Sequence, residues 1–528
     1  MDAVDFIVVG AGSGGSAVAG RLSEDANRTV ALLEAGGRNT SLKTVMPGMM
    51  PFQSEGTNWR YETVPQPGLN GRRGYQPRGR GLGGSSAINA MLYLRGCRWD
   101  YDNWAAIGAT GWGYDDVLPY FKRAEHNVRG GDAYHGADGP LWVSDQNHAH
   151  SGSEAFLDAA QALQMRRNPD FNGAEIEGVG LYQVTQRNGE RWSAARAYLG
   201  DGKHPANLKV LTDVLVERVL FENGRAVGVT YRQGDTIHTL LARGGVVLAG
   251  GVFATPQLLM LSGIGPGEHL QRHGIPVAVD RAAVGTNLQD HIDYVAAFET
   301  EGSLFLGRSL AGSVKSLRGI ARWLRNRTGP MTTPYAEAGG FVKTDPTAPA
   351  PDVQFHFLIA IVEDHGRTQV AGHGYSCHAC VLRPESSGTV RLATNDVADA
   401  PLIDPQFLSD QRDVETLKRG VRSMYRILQT PPMTGYRGRD RYPVNLDDDT
   451  ALEALIRQRA DTVYHPVGTA RMGSDADAVC TPQLGVRGVD RLWIADASVM
   501  PKLVSGNTNA PSIMIGERAA EFIRTATA

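Results

Sequence analysis

The stretch YHPVGTARMG, residues 464–473, sets His465 beside a proline. An imidazole with an intrinsic pKa near ~6.5 can take a proton at neutral pH, which makes His465 a candidate general acid or base. The His-Pro dipeptide alone favours a structural turn, and His465 is one of 14 histidines. His356, in VQFHF, alternates with Phe355 and Phe357 on a strand and faces either a substrate cavity or a satisfied core. Cys377 and Cys380 form a CxxC around His378, but no second CxxC completes a zinc site. Because YSCHACVLR alternates as a strand does, we read this pair as structural and expect no metal.

A second group of residues has the spacing of a dinucleotide site. DFIVVGAGSGGSAVAGRLSE reads as a buried strand over residues 6–9, a glycine turn and an alanine-rich helix to about Leu22, and TVALLEAGG follows as a second strand. Gly10, Gly12 and Gly15 satisfy G-x-G-x-x-G, and Glu34 ends the second strand 24 residues after Gly10. In such a unit Gly10 permits the tight turn, Gly12 lets a pyrophosphate approach the backbone, and Gly15 allows helix and strand to pack closely. The helix N-terminus offers free N–H groups to the phosphates, and Glu34 can accept both hydroxyls of a ribose. An acid at that strand end favours an unphosphorylated ribose, hence FAD or NAD over NADP. Further along, GRGLGGSSAINAMLYLRG reads as a loop whose backbone must come close to something. Several glycine-rich segments converging on one cofactor, without a second complete G-x-G-x-x-G unit, point to FAD.

These groups need a scaffold of more than one core, and 528 residues supply it. A hydrophobic content of 42% and 63 glycines describe a globular chain rich in tight turns. A net charge of -3 gives no basic field for nucleic acid. Four scattered cysteines fit a reducing compartment, no signal peptide is read at MDAVDFIVVGAG, and the expected location is cytoplasmic. Buried strands at residues 246–249 and in RLWIADASVMP extend the first sheet. Residues 207–229 read as a hairpin turning at Asn223-Gly224. We expect an α/β fold in which a Rossmann-like FAD-binding domain, residues 1–150, 205–292 and 462–528, accompanies an α+β substrate domain with a largely antiparallel sheet, residues 151–204 and 293–461. Over residues 310–325 apolar side chains recur at helical spacing while Lys315, Arg318, Arg322 and Arg325 line another face. Such a segment either packs, solvated, over the substrate entrance, the favoured reading, or lies as a peripheral contact on an anionic membrane.

Taken in order, VVGAGSGG, GRGLGGSSAINAMLYLRG, GVFATPQLLMLSGIGP, GTNLQDH, YHPVGTARMG and GNTNAPSIMIGE resemble the glucose-methanol-choline oxidoreductase family, nearest its bacterial choline and alcohol dehydrogenase branch. The resemblance spans essentially the whole chain and implies FAD. It implies that Gly10, Gly12, Gly15 and Glu34 hold the ADP half, with Val216 beside the adenine. Gly83, Gly84, Ser86, Asn89 and Ala90 would lie near the flavin, and Asp496, Ala497 and Pro511 would complete the cofactor site. His465 would be the catalytic histidine, and Asn509 the polar residue paired with it across the substrate oxygen. His291, in NLQDH, is expected to be structural. Ile88 stands where some relatives carry a flavin-linking histidine, which implies noncovalent FAD. The implied reaction is oxidation of a primary alcohol, aliphatic or aromatic, with electrons passing to a quinone-like acceptor or to O2. Choline oxidation and a non-redox hydroxynitrile lyase are the alternatives, and Glu337 and Tyr335 are candidate partners for a quaternary amine.

Overall fold

The structure, a computed structural model, describes residues 3–200, 204–436 and 438–527. Its first sheet grows from the strand Ala3–Val9, which is buried along most of its length. Val30–Leu33 pairs with it in parallel, Phe6 opposite Val30, and Thr236–Leu248 pairs in parallel on the other side, Ile7 opposite Val246. Leu208–Leu211 and Leu492–Ile494 extend the parallel set at either end. The paired parallel segments at the centre, residues 6–9, Val30–Leu33 and residues 246–248, are wholly apolar and buried, as strands covered on both faces are.

Thr236–Leu248 also has two further partners. Its C-terminal end pairs with Leu492–Ile494, while its N-terminal half pairs antiparallel with Arg225–Gln233, which pairs in turn with Leu215–Glu222. The turn between those last two is Asn223-Gly224, with φ of 51° and 76°, the type I′ geometry that suits a two-residue hairpin. The hairpin therefore forms where expected but starts only at Leu215, because Leu208–Leu211 leaves it for the parallel sheet.

The second sheet has eight strands, and all its ladders are antiparallel. Its main path runs through Ile292–Thr300, Gly372–Val381, Val353–Leu358, Ala336–Val342 and Gly178–Leu181. Helix Gln411–Leu428 covers one face, with Val414, Leu417, Val421 and Met424 in one core with Phe355, Phe357, Tyr375 and Cys377. Side chains alternate along a strand. His356 and His378, opposite each other in register, accordingly leave that core and line a cavity on the other face. Among the described residues no helix is long and apolar enough to cross a membrane.

The junction of the first strand and first helix is tight enough to test. A Cβ on Gly15 would lie 1.9 Å from the Gly10 carbonyl oxygen and 2.9 Å from the Ala249 Cβ, whereas one on Gly12 would meet nothing nearer than 4.0 Å. We expect Gly15→Ala to destabilise the flavin-free protein by about 1–3 kcal/mol through overpacking, and Gly12→Ala to stay within about 0.5 kcal/mol of wild type. Urea unfolding of both variants measures this, and equal losses would contradict it.

Candidate active site

A cavity of about 1260 Å³ runs from Gly10, Gly12 and Glu34 at the first sheet to His356, His465 and Asn507 beneath the second. At its nucleotide end, helix Ser13–Leu22 opens onto it with no acidic residue in the first turn, leaving the N–H groups free for phosphate. Glu34 accepts hydrogen bonds from the backbone N–H groups of Ala11 (2.8 Å), Gly36 (2.9 Å) and Gly81 (2.8 Å). Burial pushes its carboxyl up despite those three bonds. With three of roughly four lone-pair sites taken, it has capacity for about one further donor, not the two hydroxyls expected. Gly84, at φ +49°, brings the second glycine loop onto the first: a Cβ there would lie 2.8 Å from the Gly12 Cα. This cradle of bare backbone fits a dinucleotide.

Val216, Asn89, Ala90, Asp496 and Ala497 line the cavity, whereas Gly15, Gly83, Ser86 and Pro511 are not among its lining residues. Ser86 works from behind: its hydroxyl donates to the Gly83 carbonyl (2.6 Å) and accepts from Ala194 N–H (3.0 Å), pinning the loop. Asp496 accepts from Gly251 N–H (2.9 Å) and the Thr255 hydroxyl (2.6 Å), which ties helix Gly251–Leu261 to the cavity wall.

At the other end the structure pairs His465 with Asn507, not Asn509. Asn507 Nδ2 lies 3.0 Å from His465 Nε2, while Asn509 Oδ1 accepts from the Ser13 hydroxyl at 2.7 Å. Asn509 opens the C-terminal helix Asn509–Ala526, so its side chain locks that helix to the first one instead of reaching His465. The protons of this site follow from its partners. Leu382 offers only a carbonyl, so His291 Nε2 carries the hydrogen across their 3.1 Å contact. His291 Nδ1 is then an acceptor, 3.0 Å from His465 Nδ1, which must donate. His465 Nε2 is left as the acceptor of a 3.0 Å hydrogen bond from the Asn507 amide. His291, expected to be structural, thus fixes the tautomer of the ring it backs.

Asp290, the neighbour of His291, holds the backbone: it accepts from His465 N–H (2.9 Å), the Thr462 hydroxyl (2.6 Å) and Gln76 Nε2 (3.2 Å). Arg78 donates to the Tyr464 carbonyl at 2.8 Å. Burial drives the ionisations. It depresses His465 well below 6.5, helped by the fields of His291, His356 and Arg78. It takes His291 and His356 down to about 3 and Asp290 up to about 6. His465 is therefore neutral and able to accept a proton at physiological pH.

His356 faces the cavity, with its Nδ1 buried and unpaired. Two further cavity histidines lean on carboxylates. His378 Nδ1 contacts Asp293, and His365 bridges Asp461 (3.1 Å) and the Tyr464 hydroxyl (2.5 Å). Cys377 and Cys380 are free and buried, and three residues apart on one strand they point to opposite faces, so they cannot share a ligand. Glu337 is not in the cavity wall. Its carboxylate accepts from His150 N–H (2.7 Å), Ser153 (2.9 Å) and Thr333 (2.8 Å), whereas Tyr335 lines the wall and donates to the Gly48 carbonyl (2.8 Å). Among the described lining residues the only acids are Glu34 and Asp496, both at the nucleotide end.

A GMC oxidoreductase family model matches residues 4–293, and a second of the same description matches residues 384–516. The chain is 44% identical over 527 residues to the alcohol dehydrogenase (acceptor) of Pseudomonas putida, covering 98% of this chain and 95% of that one. It is 42% identical over 539 residues to the mitochondrial choline dehydrogenase of Homo sapiens, covering 99% and 90%. The crystal structure of pyridoxine 4-oxidase from Mesorbium loti matches it with a TM-score of 0.88 and 30% identity over 98% of both chains. The chain belongs to the GMC oxidoreductase family. It is an FAD-dependent oxidoreductase acting on alcohols.

The buried imidazoles set a pH dependence. Unfolded, His291, His356 and His465 each take a proton near ~6.5, and folded they do so only at lower pH. Between those values the unfolded state binds more protons, so stability falls as pH falls below ~6.5. Asp290, raised to about 6, acts in the opposite sense between 3.8 and 6. Replacing His356 by Gln should remove one proton from the slope, about 1.4 kcal/mol per pH unit. Urea denaturation at several pH values tests this, and parallel slopes for wild type and variant would contradict it.

Proposed function

We propose that the protein oxidises uncharged primary alcohols, aliphatic or aromatic, to aldehydes and passes the electrons to a quinone-like acceptor. The observation that carries this is the unprotonated Nε2 of His465, which accepts from the Asn507 amide at 3.0 Å in the cavity wall. An alcohol oxygen that displaces this hydrogen bond and sits beside both groups donates its proton to Nε2 and accepts from the amide. The resulting imidazolium keeps its Nδ1–H on His291, so the ring stays aimed while it is charged. Its charge and the amide hydrogen bond both strengthen as the alcohol becomes an alkoxide, which is the direction catalysis requires.

Bound FAD supplies the acceptor for the hydride that leaves the carbon. Gly10, Gly12 and Glu34 would hold its ADP end, and the loop through Gly84, Asn89 and Ala90 its flavin end. Ile88 in that loop has no nucleophile, so attachment is noncovalent. Among the described lining residues no acid stands at the substrate end, which favours a neutral alcohol over choline. A quaternary ammonium would meet no carboxylate there, and Arg78, Arg308 and Arg367 line the same cavity. The Pseudomonas putida relative is named for an acceptor of unstated kind; the quinone-like acceptor is part of the proposal.

Anaerobic flavin reduction tests the reading. Alkanols and benzylic alcohols should bleach the flavin and choline and sugars should not. Choline as fast as a benzylic alcohol would reject the neutral substrate class, and no bleaching by any alcohol would reject oxidation. Peroxide formation outpacing dye reduction would replace the quinone with O2. His465→Ala should lower kcat by ~10² to 10⁴, and Asn507→Ala by ~10². Asn509→Ala should cost less than Asn507→Ala, and the reverse order would restore the pairing expected from sequence.

A further inference from the structure

Helix Leu310–Asn326 is turned outward in an unusual sense. Its buried residues are Gly312, Gly319 and Trp323. Trp323 Nε1 donates to the Gly189 carbonyl at 2.7 Å, and its ring clusters with Met46 and Met331. At ~100° per residue Leu310, Val314, Leu317, Ala321 and Leu324 fall within a stripe about 80° wide, directed away from those three. Leu310 is 85% exposed, Leu317 67%, Leu324 50% and Val314 41%. A surface helix of a globular protein ordinarily buries such a stripe; this one presents it to solvent.

Lys315, Arg318, Arg322 and Arg325 run along one flank of the stripe, and Arg308 precedes it. Residues 302–336 contain no acid at all, in a chain whose net charge is -3. Among their described cations, only Arg327 has a carboxylate partner, Glu190 at 2.7 Å. The helix also borders the active-site cavity, since Leu317 and Ile320 line it together with Phe52, itself 55% exposed.

We infer that this face docks on an anionic lipid bilayer. The leucine stripe enters the boundary between headgroups and acyl chains, and the cations meet the headgroups. The cavity mouth then opens at the membrane, where a lipophilic acceptor or alcohol is concentrated. That last step rests on the proposed activity, but the docking does not. A second copy of the chain is the poorer occupant, because a two-fold contact centred on the stripe brings the same row of cations against itself.

Flotation of the holoenzyme with vesicles tests this. Wild type should float with phosphatidylcholine mixed with phosphatidylglycerol and stay behind with phosphatidylcholine alone or at high salt. Arg318→Glu with Arg322→Glu should cut partitioning by about tenfold or more. Leu310→Glu with Leu324→Glu should cut it too, each pair keeping wild-type flavin content and melting temperature. Equal flotation of wild type and both variants, or none by wild type, overturns the inference. A dimer that Leu310→Glu dissociates would also overturn it, by giving the stripe to a second copy. If flotation succeeds while no alcohol bleaches the flavin, the proposed reaction falls and the docking stands.

Discussion

The site depends on a short lacing between two backbone segments, residues 289–291 and 463–467, that both adjoin strands of the antiparallel sheet. Gln289 and Val467 exchange hydrogen bonds in both directions, at 3.1 and 2.8 Å, and Val463 N–H donates to the His291 carbonyl at 3.1 Å. One segment runs straight into the antiparallel strand that starts at Ile292. The other continues to Ala470 and Met472, whose N–H groups bond Ser498 and Val499 beyond the last parallel strand. His465 sits where the chain passes between these partners, with its backbone on Asp290 and its ring on His291. Tyr464 before it has φ of 74°, a left-handed conformation that costs a residue with a Cβ roughly 1–2 kcal/mol. The Arg78 bond to its carbonyl and the His365 bond to its hydroxyl hold it there. An imidazole fixed at both backbone and ring loses little entropy on meeting a substrate, and this favours reaction.

Much of the nucleotide end was legible in the sequence because its constraints are local. Gly10, Gly12, Gly15 and Glu34 lie within one βαβ unit, where spacing fixes geometry, and Gly15 shows the close packing that the pattern implies. The proton end was legible only in part. His465 could be picked out, but its partner is set by which of two asparagines two residues apart opens the C-terminal helix. Asn509 is taken by Ser13 across a sequence distance of 496 residues, and no local pattern encodes that contact. His291 and Asp290 were visible as a motif, yet their work depends on the lacing with residues 463–467, which is equally long-range. His356 and His378 were recoverable in principle. Each alternates with residues of the Phe355, Phe357 and Tyr375 core, and period two sends a strand's core and cavity residues to opposite faces. What the alternation could not say is which face looks onto the cavity. Helix Leu310–Asn326 was legible in its extent and its apolar stripe, but which side packs was not, and here Trp323 and two glycines form the packed side.

Charge gives the site its direction. Around His465 stand the neutral imidazoles of His291 and His356 and a buried Arg78 drawn down to about 10, still a cation at neutral pH, beside the Asp290 carboxylate, raised to about 6. Burial opposes any further cation in that setting, so the resting His465 stays neutral. A neutral alcohol enters without disturbing this balance. Under the proposed reaction, once the alcohol's proton moves to Nε2 the alkoxide supplies the negative charge that the imidazolium lacks, and adjacent opposite charges attract more strongly in a buried site than in bulk water. The depressed pKa therefore does not make His465 a poor base for this substrate, because the product of proton transfer is an ion pair and not an isolated cation. A cationic alcohol would bring a charge the cavity walls repel and would weaken that pair from one side. Under the proposed reaction, the same electrostatics that keeps His465 ready to accept a proton would disfavour substrates that arrive already positive.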